Sequence, residues 1–156
     1  MIEIYPDKEL FDKDKFHGKQ SIFLAGPTPR HPSVTSWRPE ALRILRELKY
    51  DGVVLIPERS DWNTKFAYDD QVAWEEVGLR DCTEIVFWIP RNMDTLPGLT
   101  TNVEFGRWIS KRNESVYYGR PDNAEHVRYL DWLHRKEKGA GSIFNSLDKL
   151  LGFVVW

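Results

Sequence analysis

The sequence predicts a doubly wound α/β fold, a parallel sheet of about five strands flanked by helices in a single domain spanning 1–156. Three observations predict it. Val53-Val54-Leu55-Ile56 is a continuous β-branched run stopped by Pro57, the pattern of a strand buried on both faces, which parallel sheets require. Two more apolar runs, Ser21 to Ala25 and Ile85 to Ile89, have the length of short buried strands. Segments of helical period separate these runs, so the chain alternates β, α, β, α, β, α, β, an order that implies right-handed crossovers.

Along the chain, residues 1–19 read as a partly exposed lead-in in which Ile2, Ile4 and Tyr5 pair or pack while Lys8 to Lys19 stays wet. The strand at about Ile22 to Ala25 runs into a Gly26-Pro27 turn and the polar loop Thr28 to Ser33. Trp37, Ala41, Leu42, Leu45 and Leu48 then recur at helical spacing, with Pro39 tolerated near the helix start. After the second strand and a long loop, Val72, Ala73, Val77 and Leu79 suit a helix from about Asp70 to Asp81, interrupted by Gly78. The third strand is followed by a helix from about Thr101 to Lys111, with Val103, Trp108 and Ile109 inward, and by a short strand at Ser115 to Tyr118. Asn123 could cap a further helix carrying Val127, Leu130, Trp132 and Leu133 inward, and Ile143 to Leu150 suggests a last one. The core therefore covers about 20–120 and a C-terminal helical segment about 123–156.

Composition narrows the function. With 156 residues, 41% of them hydrophobic, the chain can bury a sizeable core. A net charge of -2 gives no drive toward polymeric nucleic acid or anionic membranes. The N-terminus has no apolar signal region and no segment approaches the length needed to span a bilayer, so a cytoplasmic protein with no membrane partner is expected. Cys82, the single cysteine, reads as a small core residue. His17, His31, His126 and His134 lack ligand spacing, so no metal is expected. The Gly-Pro turn is not a P-loop, and no cofactor is expected.

The residues with chemical potential gather at the strand mouths. In open α/β sheets ligands bind outside the C-terminal ends of the strands, where Gly26 and Pro27 leave one strand and Thr101-Asn102-Val103-Glu104 follows another. Thr101 and Glu104 also form a capping-box pattern. In a first helical turn the dipole would favour ionised Glu104 by about 0.3–1 kcal/mol, as a carboxylate nucleophile needs. Glu75, beside Trp74 and Glu76, has surroundings that could raise its pKa, as an acid needs. Asp94 lies in the loop after the third strand. Carboxylate pairs with separated pKa values recur in glycosyl transfer.

Phe23-Leu24-Ala25-Gly26-Pro27, then Trp74-Glu75 and Gly78 before Asp81 to Val86, then Val103-Glu104-Phe105-Gly106, together resemble the nucleoside 2-deoxyribosyltransferase family over roughly residues 20–120. The resemblance implies a flavodoxin-like domain that moves a 2-deoxyribosyl group between nucleobases by a ping-pong route. Glu104 would be the nucleophile, and Glu75, where the family usually has aspartate, would contact the leaving base. The partners implied are 2′-deoxynucleosides and free nucleobases, with no cofactor. A homo-oligomer, dimer or higher, is expected too, because relatives complete the pocket with a neighbour's residues. Two family features are missing: the early tyrosine aligns with Ile22, and the acid used on sugar hydroxyls aligns with Gly98, leaving Asp94, Asn102 or Thr101 to replace it. Trp37 and Trp62 are candidates for stacking on a base, and Arg30 for meeting a phosphate or a base carbonyl. The competing readings are a nucleoside or nucleotide N-glycosidase and a non-catalytic nucleotide-binding module on the same fold.

Overall fold

Five parallel strands in the order β1-β3-β2-β4-β5 form one sheet in the computed structural model, which describes every residue except His17, Trp62, Ala140 and Ser142. The strands are β1 (Ile2–Ile4), β2 (Ser21–Ala25), β3 (Val53–Leu55), β4 (Glu84–Trp88) and β5 (Val116–Gly119). Five helices flank them: α1 (Arg38–Glu47), α2 (Tyr68–Asp81), α3 (Leu99–Lys111), α4 (Arg128–Lys138) and α5 (Leu147–Val155). The predicted α/β class and all-parallel sheet are therefore observed, and Ile2–Ile4 pairs with β3 as an edge strand.

Alternation along each strand divides the core in two. Phe23, Ala25, Ile85 and Phe87 point to the side covered by α2, α3 and α4, where Trp74, Phe105, Trp108 and Leu130 meet them. Ile22, Leu24, Val86 and Trp88 point to the side covered by α1 and α5, against Ala41, Leu45, Leu150 and Leu151. Period-two strands thus carry both layers of the sandwich. Because β2 leads through α1 to β3 on one side and α2 returns to β4 on the other, the strand order reverses between β2 and β4. At such a reversal the loops leaving the two strands part and open a crevice.

Several packing expectations are corrected. The lead-in is not all wet: Phe11 is buried, stacks on Phe16 at 6.2 Å, and the Trp74 indole N–H donates to the Glu9 carbonyl at 2.8 Å. Helix α2 buries Trp74, Gly78 and Leu79, whereas Val72 and Ala73 are exposed. Gly78 is tolerated because a Cβ there would lie 2.7 Å from the Phe23 ring, so its absence lets the helix close on β2. Helix α3 faces the core with Phe105, Trp108 and Ile109, leaving Val103 exposed. Helix α4 starts at Arg128 without an Asn123 cap and leaves Trp132 exposed. Cys82 is a core residue, its thiol pushed up to about 11 by burial. No helix among the described residues is long and apolar enough to cross a membrane.

Candidate active site

At the reversal between β2 and β4 lies a cavity of about 360 Å³. Its wall combines the β2 mouth (Phe23, Ala25, Gly26), the loop residues Thr28 to Arg30, the β3 exit Pro57-Glu58-Arg59, and the first two turns of α2 and α3. Glu75 from α2 and Glu104 from α3 both face it. These carboxylates are 29 positions apart in sequence and are brought together because α2 and α3 flank β4 on the same face of the sheet.

The turn after β2 is built from backbone and held by a buried cation. Gly26 has φ +146°, and a Cβ there would stand 2.1 Å from the Trp88 carbonyl oxygen, so only glycine lets the β2 mouth lie against the end of β4. Arg38, at the start of α1, is 1% exposed. Its Nε donates to the Leu24 carbonyl at 3.0 Å, and one terminal nitrogen to Gly26 at 2.9 Å. The other donates to Pro27 at 3.2 Å and to the Glu58 carboxylate at 2.5 Å. Ser36 donates to the same Glu58 oxygen at 2.6 Å. A buried charge is tolerated when it is fully hydrogen-bonded and paired, which these acceptors provide. Neither Arg38 nor Glu58 is among the residues singled out from the sequence.

The other predicted residues separate clearly. Gly26 and Arg30 line the cavity. Pro27 is buried behind it, packed on Gly98. Trp37 does not reach the cavity: it is buried under the turn, its indole N–H donating to the Pro27 carbonyl at 3.1 Å, and it packs beneath the Arg38 guanidinium at 4.7 Å. Trp62 lies outside the described residues. Asp94 sits in an exposed loop, its backbone N–H bonded to Asn92. Asn102 points away from the cavity, accepting at 2.5 Å from Arg91, which also holds the Pro97, Gly98 and His126 carbonyls. Of the three groups considered as replacements for the missing sugar-contacting acid, only Thr101 lines the cavity; Glu58 joins it there.

The electrostatics reverse one expectation. Helix α3 begins at Leu99 with Gly98 in the left-handed region (φ +55°) and no side-chain cap, so Thr101 and Glu104 form no capping box. Glu104 consequently falls in the second turn, beyond the N–H groups that would have favoured its charge. Burial in the cavity, and next the Glu75 carboxylate, push it up to about 8, with Arg38 pulling the other way. Glu75 is also raised, by burial, but less effectively, because Gln71 donates to it at 3.0 Å and Arg38 favours its charge. Two carboxyl groups raised in one cavity resist ionising together, and Glu104, the more strongly raised, is the more reluctant to carry its charge.

A profile of the family described as nucleoside 2-deoxyribosyltransferase like matches residues 19–122. The chain belongs to this family. The match runs from just before β2 to beyond β5 and so contains both carboxylates and every wall of the cavity. No curated protein matches the chain. Membership suggests a pentosyl-transferase-like enzyme with nucleoside substrates, and in this family member the only carboxylates among the described cavity-lining residues are Glu58, Glu75 and Glu104.

Proposed function

We propose that the protein is a nucleoside 2-deoxyribosyltransferase, in which Glu104 is the nucleophile and Glu75 the proton carrier. The observation that carries this reading is the convergence of two raised carboxyl groups from different helices on one cavity. One carboxylate and one carboxylic acid are what the first half-reaction consumes. In the reacting state of this proposal Glu104 is ionised and Glu75 carries the proton. A Glu104 oxygen bonds to C1′ as the C1′–N bond breaks, the electron pair leaves with the base, and Glu75 delivers its proton to that base. In the second half-reaction a nitrogen of the incoming base attacks C1′, the ester C–O bond breaks, Glu104 regains its charge, and the base's proton returns to Glu75. Two inversions give net retention.

Around this pair, Thr101 and Glu58 are the groups offered to the sugar hydroxyls, and Phe23, Pro29 and Leu99 supply apolar surface for a base. Arg30 and Arg59 bring guanidinium groups to the rim. The deciding experiment is chromatography of the purified protein with 2′-deoxyinosine or thymidine plus free adenine, repeated with the 5′-phosphorylated forms. Deoxyadenosine is the expected product from the nucleosides, and its 5′-phosphate from any phosphorylated donor the enzyme accepts. Free base without a new nucleoside would replace this reading with the hydrolase, and no product from any donor would leave a binding module.

Tyr68, Val72 and Leu99 at the cavity mouth and Val103 next to them are exposed apolar side chains on adjacent helices, a patch that a second copy would cover. Light scattering is expected to give at least a dimer; a monomeric mass at micromolar concentration would overturn it.

A further inference from the structure

We propose that Arg38 is the positioning residue of this site, its buried guanidinium fixing the Gly26-Pro27 turn and, paired with Glu58, holding one fixed positive charge behind the cavity carboxylates. The inference rests on the reading of Glu104 as the group that must lose a proton, but the ionisation itself can be measured without substrate.

Among the described residues, charged groups from several elements surround Glu104. Glu75 and Glu76 come from α2, Arg38 from α1, Glu58 and Arg59 from the β3 exit, and Arg30 from the β2 loop. On its own helix, Arg107 is committed to Glu76 through two bonds of 2.7 Å. Arg30 and Arg59 are exposed at the rim, where water and salt screen them. Arg38 is wholly buried, and Glu58, Glu75 and Glu104 all lie within its electrostatic reach. It is therefore the one dry cation among the described residues set against three cavity acids.

Two features fix that cation in space. Its planar fork is filled by three backbone carbonyls of the β2 exit and one carboxylate of the β3 exit, so it cannot swing toward Glu104 or away from it. Its field is divided, because Glu58 neutralises part of it before it reaches the catalytic pair. That division gives the proposal a signature of two opposite signs. Removing the guanidinium should push Glu104 further up, whereas removing the Glu58 charge should release the guanidinium's full field and bring Glu104 down. A clamp that merely held the turn would produce neither.

The test is a carbon-detected NMR titration of glutamate side-chain carboxyls in the full-length protein without ligand, the Glu104 signal being assigned by its loss in Glu104→Gln. The wild-type midpoint is expected near 8. Arg38→Gln should raise it by about one unit or more, and Glu58→Gln should lower it by about half a unit. Arg38→Lys, which keeps the charge and loses the fork, should stay close to wild type in midpoint. Shifts of the same sign in Arg38→Gln and Glu58→Gln, or none in either, would overturn the proposal. If Arg38→Gln does not fold, Glu58→Gln decides alone: an unchanged or raised midpoint refutes it. Should the protein show no transfer with any nucleoside, these titrations remain readable, so failure of the proposed reaction and failure of this inference are separate results.

Discussion

Glu104→Gln should reduce deoxyribosyl transfer by at least about a thousandfold and, in the same preparation, make the protein more heat-stable at alkaline pH. The first effect follows from losing the only protein carboxylate proposed to bond to C1′. The second follows from proton linkage. Folding raises the Glu104 carboxyl from 4.5 to about 8, so its contribution to stability is complete below the unfolded value and is lost as pH rises through the folded one. The glutamine side chain has nearly the same shape and never has to ionise, so it escapes that loss. Melting temperatures of variant and wild type should coincide near pH 5 and separate between pH 5 and 8, and the variant should be ahead by at least about 3 °C above that range. A solvated helix glutamate would show neither effect. Loss of transfer without the alkaline gain would leave Glu104 the nucleophile but sink the account of its ionisation.

The strands were legible because nothing competes with a short apolar run between turn residues. Phe23-Leu24-Ala25 and Val53-Val54-Leu55 must be buried on both faces, and only the middle of a parallel sheet offers that. Helix faces were harder to read. Val72 and Val103 satisfy a helical period, yet they border the cavity mouth, where apolar side chains are exposed rather than packed. The start of α3 was misread for a physical reason: Gly98 enters the helix from the left-handed region, and the polar residues that usually mark a start, Thr100 and Thr101, lie inside it. Two residues of shift moved Glu104 out of the first turn, which reversed the expected sign of its pKa shift.

Within the site, Glu75 is marked by its apolar, acid-rich neighbours on a helix, and Gly26 and Glu104 by the rule that strand mouths carry ligands. The same rule, applied to Ile56-Pro57-Glu58, would have found Glu58. Arg38 carries no such signal. It sits at a helix start beside Pro39, where an arginine reads as solvated, and all of its partners are long-range: three carbonyls from the β2 exit and a carboxylate twenty residues on. Trp37 looked like a base platform for the converse reason. Its polar neighbours are real, but they are the buried network beneath the turn, and the indole is consumed by the Pro27 carbonyl.

Gly26→Ala should be the most damaging single methyl in the protein. At φ +146° an alanine is strained whatever the space around it, and here its Cβ would stand 2.1 Å from the Trp88 carbonyl oxygen and 3.1 Å from the Trp37 ring. The atom in the way is backbone of an interior strand, so relief requires β2 and β4 to separate at their ends or the turn to flip. A flip would withdraw the Gly26 carbonyl from Arg38 and leave a buried guanidinium short of an acceptor. Strain and overpacking together should cost about 3 kcal/mol or more in urea unfolding, with transfer activity lost even under conditions where the variant is folded. Gly106→Ala is the control: it lies in α3 with nothing within 4 Å of the added carbon, so the variant should equal wild type or gain about 0.4–1 kcal/mol. If Gly26→Ala instead unfolds within about 1 kcal/mol of wild type and keeps its turnover, the close approach of the two strand mouths is not what shapes the cavity.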